Sequence, residues 1–193
     1  MNRLIAVGLV VPVVLLSGCC RRADRLNGDL PPTAPTRAVD PLLDAMTGKW
    51  VARGTILGAQ RVDDIEVKWV LDGRYLQMHE LSENKDAVGK SVYEAIVLME
   101  LDPKTREYNC LWLDTTANGG LGPNHIVGQG KNEGDSIALI FKSSNGDNFH
   151  TSFVCNRSEN TWSWILDGES NGKLDPFARM TLTKAPSRQV LIK

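Results

Sequence analysis

From Thr47 onward the chain alternates apolar and polar residues in short runs. Ile65, Val67, Trp69 and Leu71 alternate in one run, Tyr93, Ala95, Val97, Met99 and Leu101 in another, and Tyr108, Cys110 and Trp112 in a third. A period of two is that of a strand with one buried face. The pattern predicts strands over 49–57, 62–72, 74–82, 91–101, 106–114, 125–131, 136–143, 149–156, 161–167 and 177–184. The intervening segments carry turn chemistry. Asp72-Gly73, Asp102-Pro103-Lys104-Thr105, Asn132-Glu133-Gly134-Asp135, Asn145-Gly146-Asp147 and Ser158-Glu159-Asn160 are short. Gly168 to Pro176 reads as a longer turn, and the Gly-rich stretch Thr115 to Asn124 as the longest loop. Asn-Gly is the strongest short hairpin signal.

About ten short strands joined by hairpin turns, with almost no helix, argue an antiparallel meander. An open meander of that length leaves edge strands exposed, and closure removes them. The expected fold is therefore all-β, an up-and-down antiparallel barrel of about eight to ten strands. A sandwich is the alternative, although it needs longer crossing connections.

Before the strands, Leu42, Leu43 and Met46 share one helical face, so Pro41 to Met46 reads as a short helix able to plug an end. Upstream, Pro31, Pro32 and Pro35 sit among Arg, Asp, Thr and Asn, the composition of an extended spacer. The first residues are different again. Arg3 precedes an apolar run, Leu4 to Leu16, followed by Ser17-Gly18-Cys19. A charged head, a short apolar core and small residues make an export signal. The run is shorter than the roughly 20 residues a permanent membrane helix needs. The expected organisation is a signal peptide over 1–18, a lipidated cysteine and linker over 19–41, a barrel over 42–185 and a tail over 186–193.

Leu16-Ser17-Gly18-Cys19 resembles the lipobox of bacterial lipoproteins. The resemblance implies cleavage before Cys19, acylation of its thiol and attachment to membrane lipid. Cys20 rather than Asp follows, which by the same resemblance implies outer-membrane delivery, facing the periplasm. Gly48-Lys49-Trp50, at the start of the first strand, resembles the Gly-x-Trp signature of calycins: lipocalins, fatty-acid-binding proteins and nitrobindin-like barrels. In those folds the Trp closes the base, and a basic residue from the last strand covers its ring. The resemblance points to Arg179 for that role. Larger pieces are similar to a bacterial family of secreted barrels, the domain-of-unknown-function 1579 family. These are Leu43 to Trp50, Trp69 to Leu76, Tyr93 to Ala95 leading to Leu101-Asp102-Pro103-Lys104-Thr105, and Tyr108 to Asp114.

The formal net charge is −1, which gives no electrostatic case for nucleic acid as a partner or for an anionic membrane surface. The three histidines, His79, His125 and His150, have no metal-ligand spacing, so no metal site is expected. No cofactor is expected either; haem, bound by a histidine in nitrobindin-like barrels, is the minority alternative. Asp167 to Gly172 resembles the start of a calcium loop, but Ala178 stands where the bidentate Glu is required. Cys110 and Cys155 lie on strands. An oxidising compartment permits a disulfide between them, and two free thiols packed as small apolar residues are the alternative.

Aromatic residues carry the strongest hint of function. Trp69, Trp112, Phe153, Trp162 and Trp164, with His125 beside the Gly-rich loop, would line a cavity if they point inward. The leading expectation is a lipid-anchored, non-enzymatic barrel that binds a small apolar ligand. The alternatives are an isomerase or hydrolase using a His or carboxylate at the mouth, and a structural module with a filled interior.

Overall fold

Asp40 starts the fold by capping a helix. Its Oδ1 accepts hydrogen bonds from the N–H groups of Leu42 at 2.7 Å and Leu43 at 3.4 Å, which a short helix leaves without intrahelical partners. Pro41 follows in the first turn, where its missing N–H costs nothing. Helix α1 (Pro41–Met46) buries Leu42, Leu43 and Met46. Asp40 and Pro41, read from sequence as the end of the linker, thus belong to the barrel. The structure, a computed structural model, describes residues 40–116, 121, 127–143 and 146–186. The expected signal peptide, the expected lipidation site Cys19, most of the segment read as a linker, His125 and most of the segment read as a tail lie outside the described residues.

The strands are β1 (Gly48–Ile56), β2 (Ala59–Val70), β3 (Tyr75–Ser82), β4 (Glu94–Leu101) and β5 (Glu107–Asp114), then β6 (Val127–Glu133), β7 (Ser136–Lys142), β8 (Asn148–Asn156), β9 (Thr161–Ser170) and β10 (Lys173–Lys184). Each pairs antiparallel with its sequence neighbour, and β1 pairs with β10. The sheet is a closed ten-stranded barrel, as the alternation predicts. One element differs. The segment read as a turn over 168–176 is mostly strand. Asn171 and Gly172 make the turn, with φ of 53° and 72°, and the strands continue on both sides. This is the conformation a primed two-residue hairpin turn requires. Pro176 fits inside β10 because the register shifts between Pro176 and Ala178, where no ladder N–H is demanded of it.

Alternation divides each strand between solvent and interior. Inward residues such as Ile65, Val67, Leu76, Met78, Val97, Met99, Ile137, Phe153 and Trp162 are almost fully buried. Helix α1 closes one end. Tyr108 donates from its hydroxyl to Asp40 Oδ2, Trp50 Nε1 donates to the Met46 carbonyl at 2.7 Å, and Trp69 Nε1 donates to Asp44 Oδ1 at 2.9 Å. Three barrel side chains therefore hold the plug.

The cation expected over Trp50 is present but comes from a different residue. Lys184 Nζ lies 3.6 Å from the centre of the Trp50 ring and donates to the Thr47 carbonyl at 2.9 Å. The cause is register. Trp50 stands opposite Lys184 on β10, whereas Arg179 stands opposite Thr55. Arg179 also has the wrong parity: Ala178, Met180 and Leu182 point inward and Arg179 points out. Its guanidinium donates to the Leu166 and Ala178 carbonyls and to Asp167.

Candidate functional site

The end of the barrel opposite α1 holds a cavity of about 520 Å³. The same alternation that packs the closed half supplies its walls, because the inner rows simply continue upward. Its apolar wall includes Trp112, Phe141, Phe149, Trp164, Phe177 and Met180. The rings support one another. Trp112 stacks with Trp164 at 5.9 Å and meets Phe141 edge-on at 6.3 Å, and Phe149 meets Phe177 edge-on at 5.3 Å. Gly128 makes room for this wall, since a Cβ there would sit 2.6 Å from the Phe141 ring.

Of the aromatic residues singled out from sequence, Trp112 and Trp164 line the cavity. Phe153 and Trp162 point inward too but are buried in the packed part of the core, with Phe153 stacked under Trp164 at 5.3 Å. Trp69 is at the plugged end, bonded to Asp44. The expected lining is thus split between two levels of the barrel, which alternation alone cannot distinguish. His125 lies outside the described residues. His79 and His150 point outward and bond Glu94 at 2.7 Å and Glu169 at 2.8 Å.

Cys110 and Cys155 are free thiols. They belong to β5 and β8, which β6 and β7 separate. Cys110 is buried among apolar side chains, and that burial pushes its pKa up, as a structural thiol's should be.

The other wall is polar. Arg61, Glu80, Tyr93 and Asp114 line the cavity there, and Asp63 lies beside them. Arg61 Nε donates to Asp63 Oδ1 at 2.7 Å. Trp112 Nε1 donates to the Tyr93 hydroxyl at 3.1 Å, which in turn donates to Asp114 Oδ2 at 3.3 Å. Asp114 Oδ1 also accepts from the Thr116 N–H and hydroxyl. The Arg61 guanidinium stands 5.4 Å from the Tyr93 ring centre. Within this network the buried carboxyls of Asp63 and Glu80 stand side by side and are hydrogen-bonded to each other.

Glu80 is 1% exposed, and its pKa is pushed up to about 8. Burial is the largest cause; the neighbouring Asp63 adds to it, and Arg61 only partly opposes it. Glu80 is accordingly a neutral carboxylic acid at pH 7, able to donate a proton or a hydrogen bond. Burial, with Glu80 nearby, likewise raises the pKa of Tyr93.

None of these polar residues was singled out from sequence as a site residue. The signal was there for Glu80: it occupies the inward phase of Leu76, Met78, Glu80 and Ser82. Asp63 does the same ahead of Ile65 and Val67. A charged residue on the buried phase of a strand must be paired, protonated or facing a ligand. No protein-family model matches the chain, and no curated protein matches it.

Proposed function

We propose that this chain is a lipid-anchored protein of the bacterial cell envelope that holds a small, largely apolar ligand in the open half of its barrel. The observation that carries the binding half is the aromatic-walled cavity of about 520 Å³ above a packed core. That volume lies in the range of small-molecule sites, and its lining mixes many apolar faces with a few convergent polar groups. A module with a filled interior would have no such space. The anchoring half rests on the Leu16-Ser17-Gly18-Cys19 lipobox and on the spacer behind it, long enough to hold a barrel clear of the bilayer. Acyl chains on Cys19 are the membrane partner in this reading, and delivery is to the outer membrane, facing the periplasm. The resemblance to calycin barrels and to the domain-of-unknown-function 1579 family agrees with it through Gly48, Trp50 and a last-strand cation.

A second reading has one observation in its favour. Glu80 is a protonated acid in an apolar cavity, the environment in which a carboxyl serves as general acid or base. The barrel would then be an enzyme, an isomerase or hydrolase, acting on the molecule it holds.

Native mass spectrometry of protein purified from its own host tests both. The binding reading expects a co-purified small molecule of one mass, released on denaturation. Turnover of that molecule, lost in Glu80→Gln, would move the assignment to the enzyme. Protein that is empty from the host and takes up no apolar probe would refute both.

A further inference from the structure

Exposed aliphatic side chains gather at the open end of the barrel. Leu57 is 72% exposed in the β1–β2 turn, Val88 is 86% exposed between β3 and β4 with Val92 beside it, and Leu174 is exposed next to the β9–β10 turn. These connections are neighbours around the mouth, because β3, β2, β1, β10 and β9 pair in that order. At the plugged end, the turns expose only Leu71 among the large apolar side chains of the described residues.

The tips are held outward by the fold. Leu57 has φ of 49°, a left-handed conformation that favours Asn or Gly in a hairpin turn. Its N–H donates to the Phe177 carbonyl at 2.7 Å, which fixes the turn against β10. Asp86 shapes the Val88 tip, since its Oδ1 accepts from the N–H groups of Val88 and Lys90, each at 2.9 Å. The apolar surface also continues out of the cavity. Leu57 adjoins Ile56 and Val92 adjoins Tyr93, and both of those neighbours line it.

We propose that this arc of the mouth docks on a lipid bilayer, with Leu57, Val88 and Leu174 entering the boundary between headgroups and acyl chains. The inference rests on the cavity reading for what docking serves: an apolar ligand partitions into lipid, and a mouth seated there receives it without passage through water. The exposed side chains stand singly on separate tips, which a fluid surface accommodates and a packed interface core does not. They are Leu and Val, without the aromatic or Met anchors that fill the core of a protein interface. Glu83 and Asp86 are balanced by Lys85 and Lys90 on the β3–β4 connection, so docking needs no anionic lipid.

Chain length permits this orientation. The fold begins at Asp40, at the plugged end. The stretch from Cys19 to Asp40 reaches roughly 25 Å as a flexible coil and roughly 70 Å fully extended. The 12 residues of β10 span about 40 Å along the strand, and about 30 Å along the axis at the usual barrel tilt. A lipid on Cys19 therefore lets the mouth turn to the bilayer that holds it.

The experiment places the natural chain, purified from its host, in phosphatidylcholine vesicles containing a phospholipid with a diazirine on its acyl chain. Illumination fixes lipid to whatever touches it, and mass spectrometry maps the adducts. Peptides carrying Leu57, Val88 and Leu174 should be labelled about fivefold or more over those carrying Leu71 or residues 157–160, and about 0.5 M salt should not remove the labels. Leu57→Asn with Leu174→Asn should cut tip labelling about fivefold while the protein still floats with the vesicles and still binds an apolar probe; Asn suits the φ of Leu57, so the turn survives. Equal labelling of both ends, labelling that favours Leu71, loss of tip labels in salt, or no adducts would overturn the docking. Adducts confined to the interior, on Trp164 and Phe141, would also overturn it while supporting the cavity reading, with lipid as the cargo. Flotation reports the anchor by itself: a chain that does not float removes the anchoring reading, and tip adducts in the mixed sample still decide the docking.

Discussion

Lys184 and Trp50 close the barrel from opposite ends of the sequence. The Lys184 ammonium lies 3.6 Å from the Trp50 ring centre, and it is also the nearest atom to where a Cβ on Gly48 would be, at 2.8 Å. Gly48 itself has φ of 125°, a conformation that residues with a side chain rarely adopt. The three residues thus form one unit at the junction of β1 and β10.

Removing the cation should be mild and removing the glycine severe. Lys184→Ala should cost about 0.5–1 kcal/mol, the range for an exposed cation over an aromatic ring. Gly48→Ala should cost about 1–3 kcal/mol, from backbone strain as well as the clash with the amine. Arg179→Ala removes an exterior ion pair and should change stability by under about 1 kcal/mol. Urea unfolding of the three variants checks the order; a larger loss from Arg179→Ala than from Gly48→Ala would contradict this account of the closure.

Asp40 should be the most sensitive polar residue of the plugged end. It caps α1 with one oxygen and accepts from Tyr108 with the other, fully buried. Asp40→Ala should destabilise by about 2–4 kcal/mol, losing the cap and stranding a buried hydroxyl. Tyr108→Phe should cost about 1–2 kcal/mol, and the double variant less than the sum. Additive losses in a double-mutant cycle would mean that the two residues do not act together.

Glu80 should make stability fall with pH. An unfolded glutamate releases its proton near 4.5, and the folded one near 8. Between those values the native state binds more protons than the unfolded chain, so each pH increment favours unfolding, and the effect levels off above about 8. Glu80→Gln removes this dependence. Relative to the natural chain it should gain on the order of 2–4 kcal/mol between pH 4.5 and 8.5. Denaturation midpoints of both proteins across that range test it, and parallel curves would show that Glu80 is ionised in the fold.

Much of this architecture is legible in the sequence, because period-two alternation fixes both the strand type and the inward face. The helix Pro41–Met46 is equally legible, from one apolar face behind a proline. Register is not. The sequence shows a basic residue near the C-terminus, but whether Arg179 or Lys184 meets Trp50 depends on how β1 and β10 align, and no local signal sets that pairing. Height along the barrel is hidden for the same reason. Trp162 and Trp164 share one face, yet Trp164 borders the cavity and Trp162 lies in the packed core. The polar wall was visible as the charged residues Asp63 and Glu80 on an apolar phase. Its grouping was not, since Arg61, Glu80, Tyr93 and Asp114 come from separate segments brought together only by closure.

The anchor is tested independently of the barrel. Cys19→Ala should leave the protein unprocessed or free of the membrane fraction, whereas the natural chain should sediment with outer membranes. Unchanged attachment of the variant would exclude lipidation at Cys19, and inner-membrane sedimentation would exclude the proposed address.

Filling the cavity tests the central claim most directly. Ala178 lines it from β10 and is 2% exposed, so Ala178→Phe puts a ring into the space while leaving the plugged end alone. The measurement is titration of the natural chain and this variant with an apolar fluorescent probe such as N-phenylnaphthylamine, with circular dichroism showing that both keep the strand signature. The natural chain should bind one probe per protein, saturably and with blue-shifted emission, and the folded variant should bind at least tenfold more weakly. Equal binding by both proteins would place the probe elsewhere and contradict a ligand site inside the barrel.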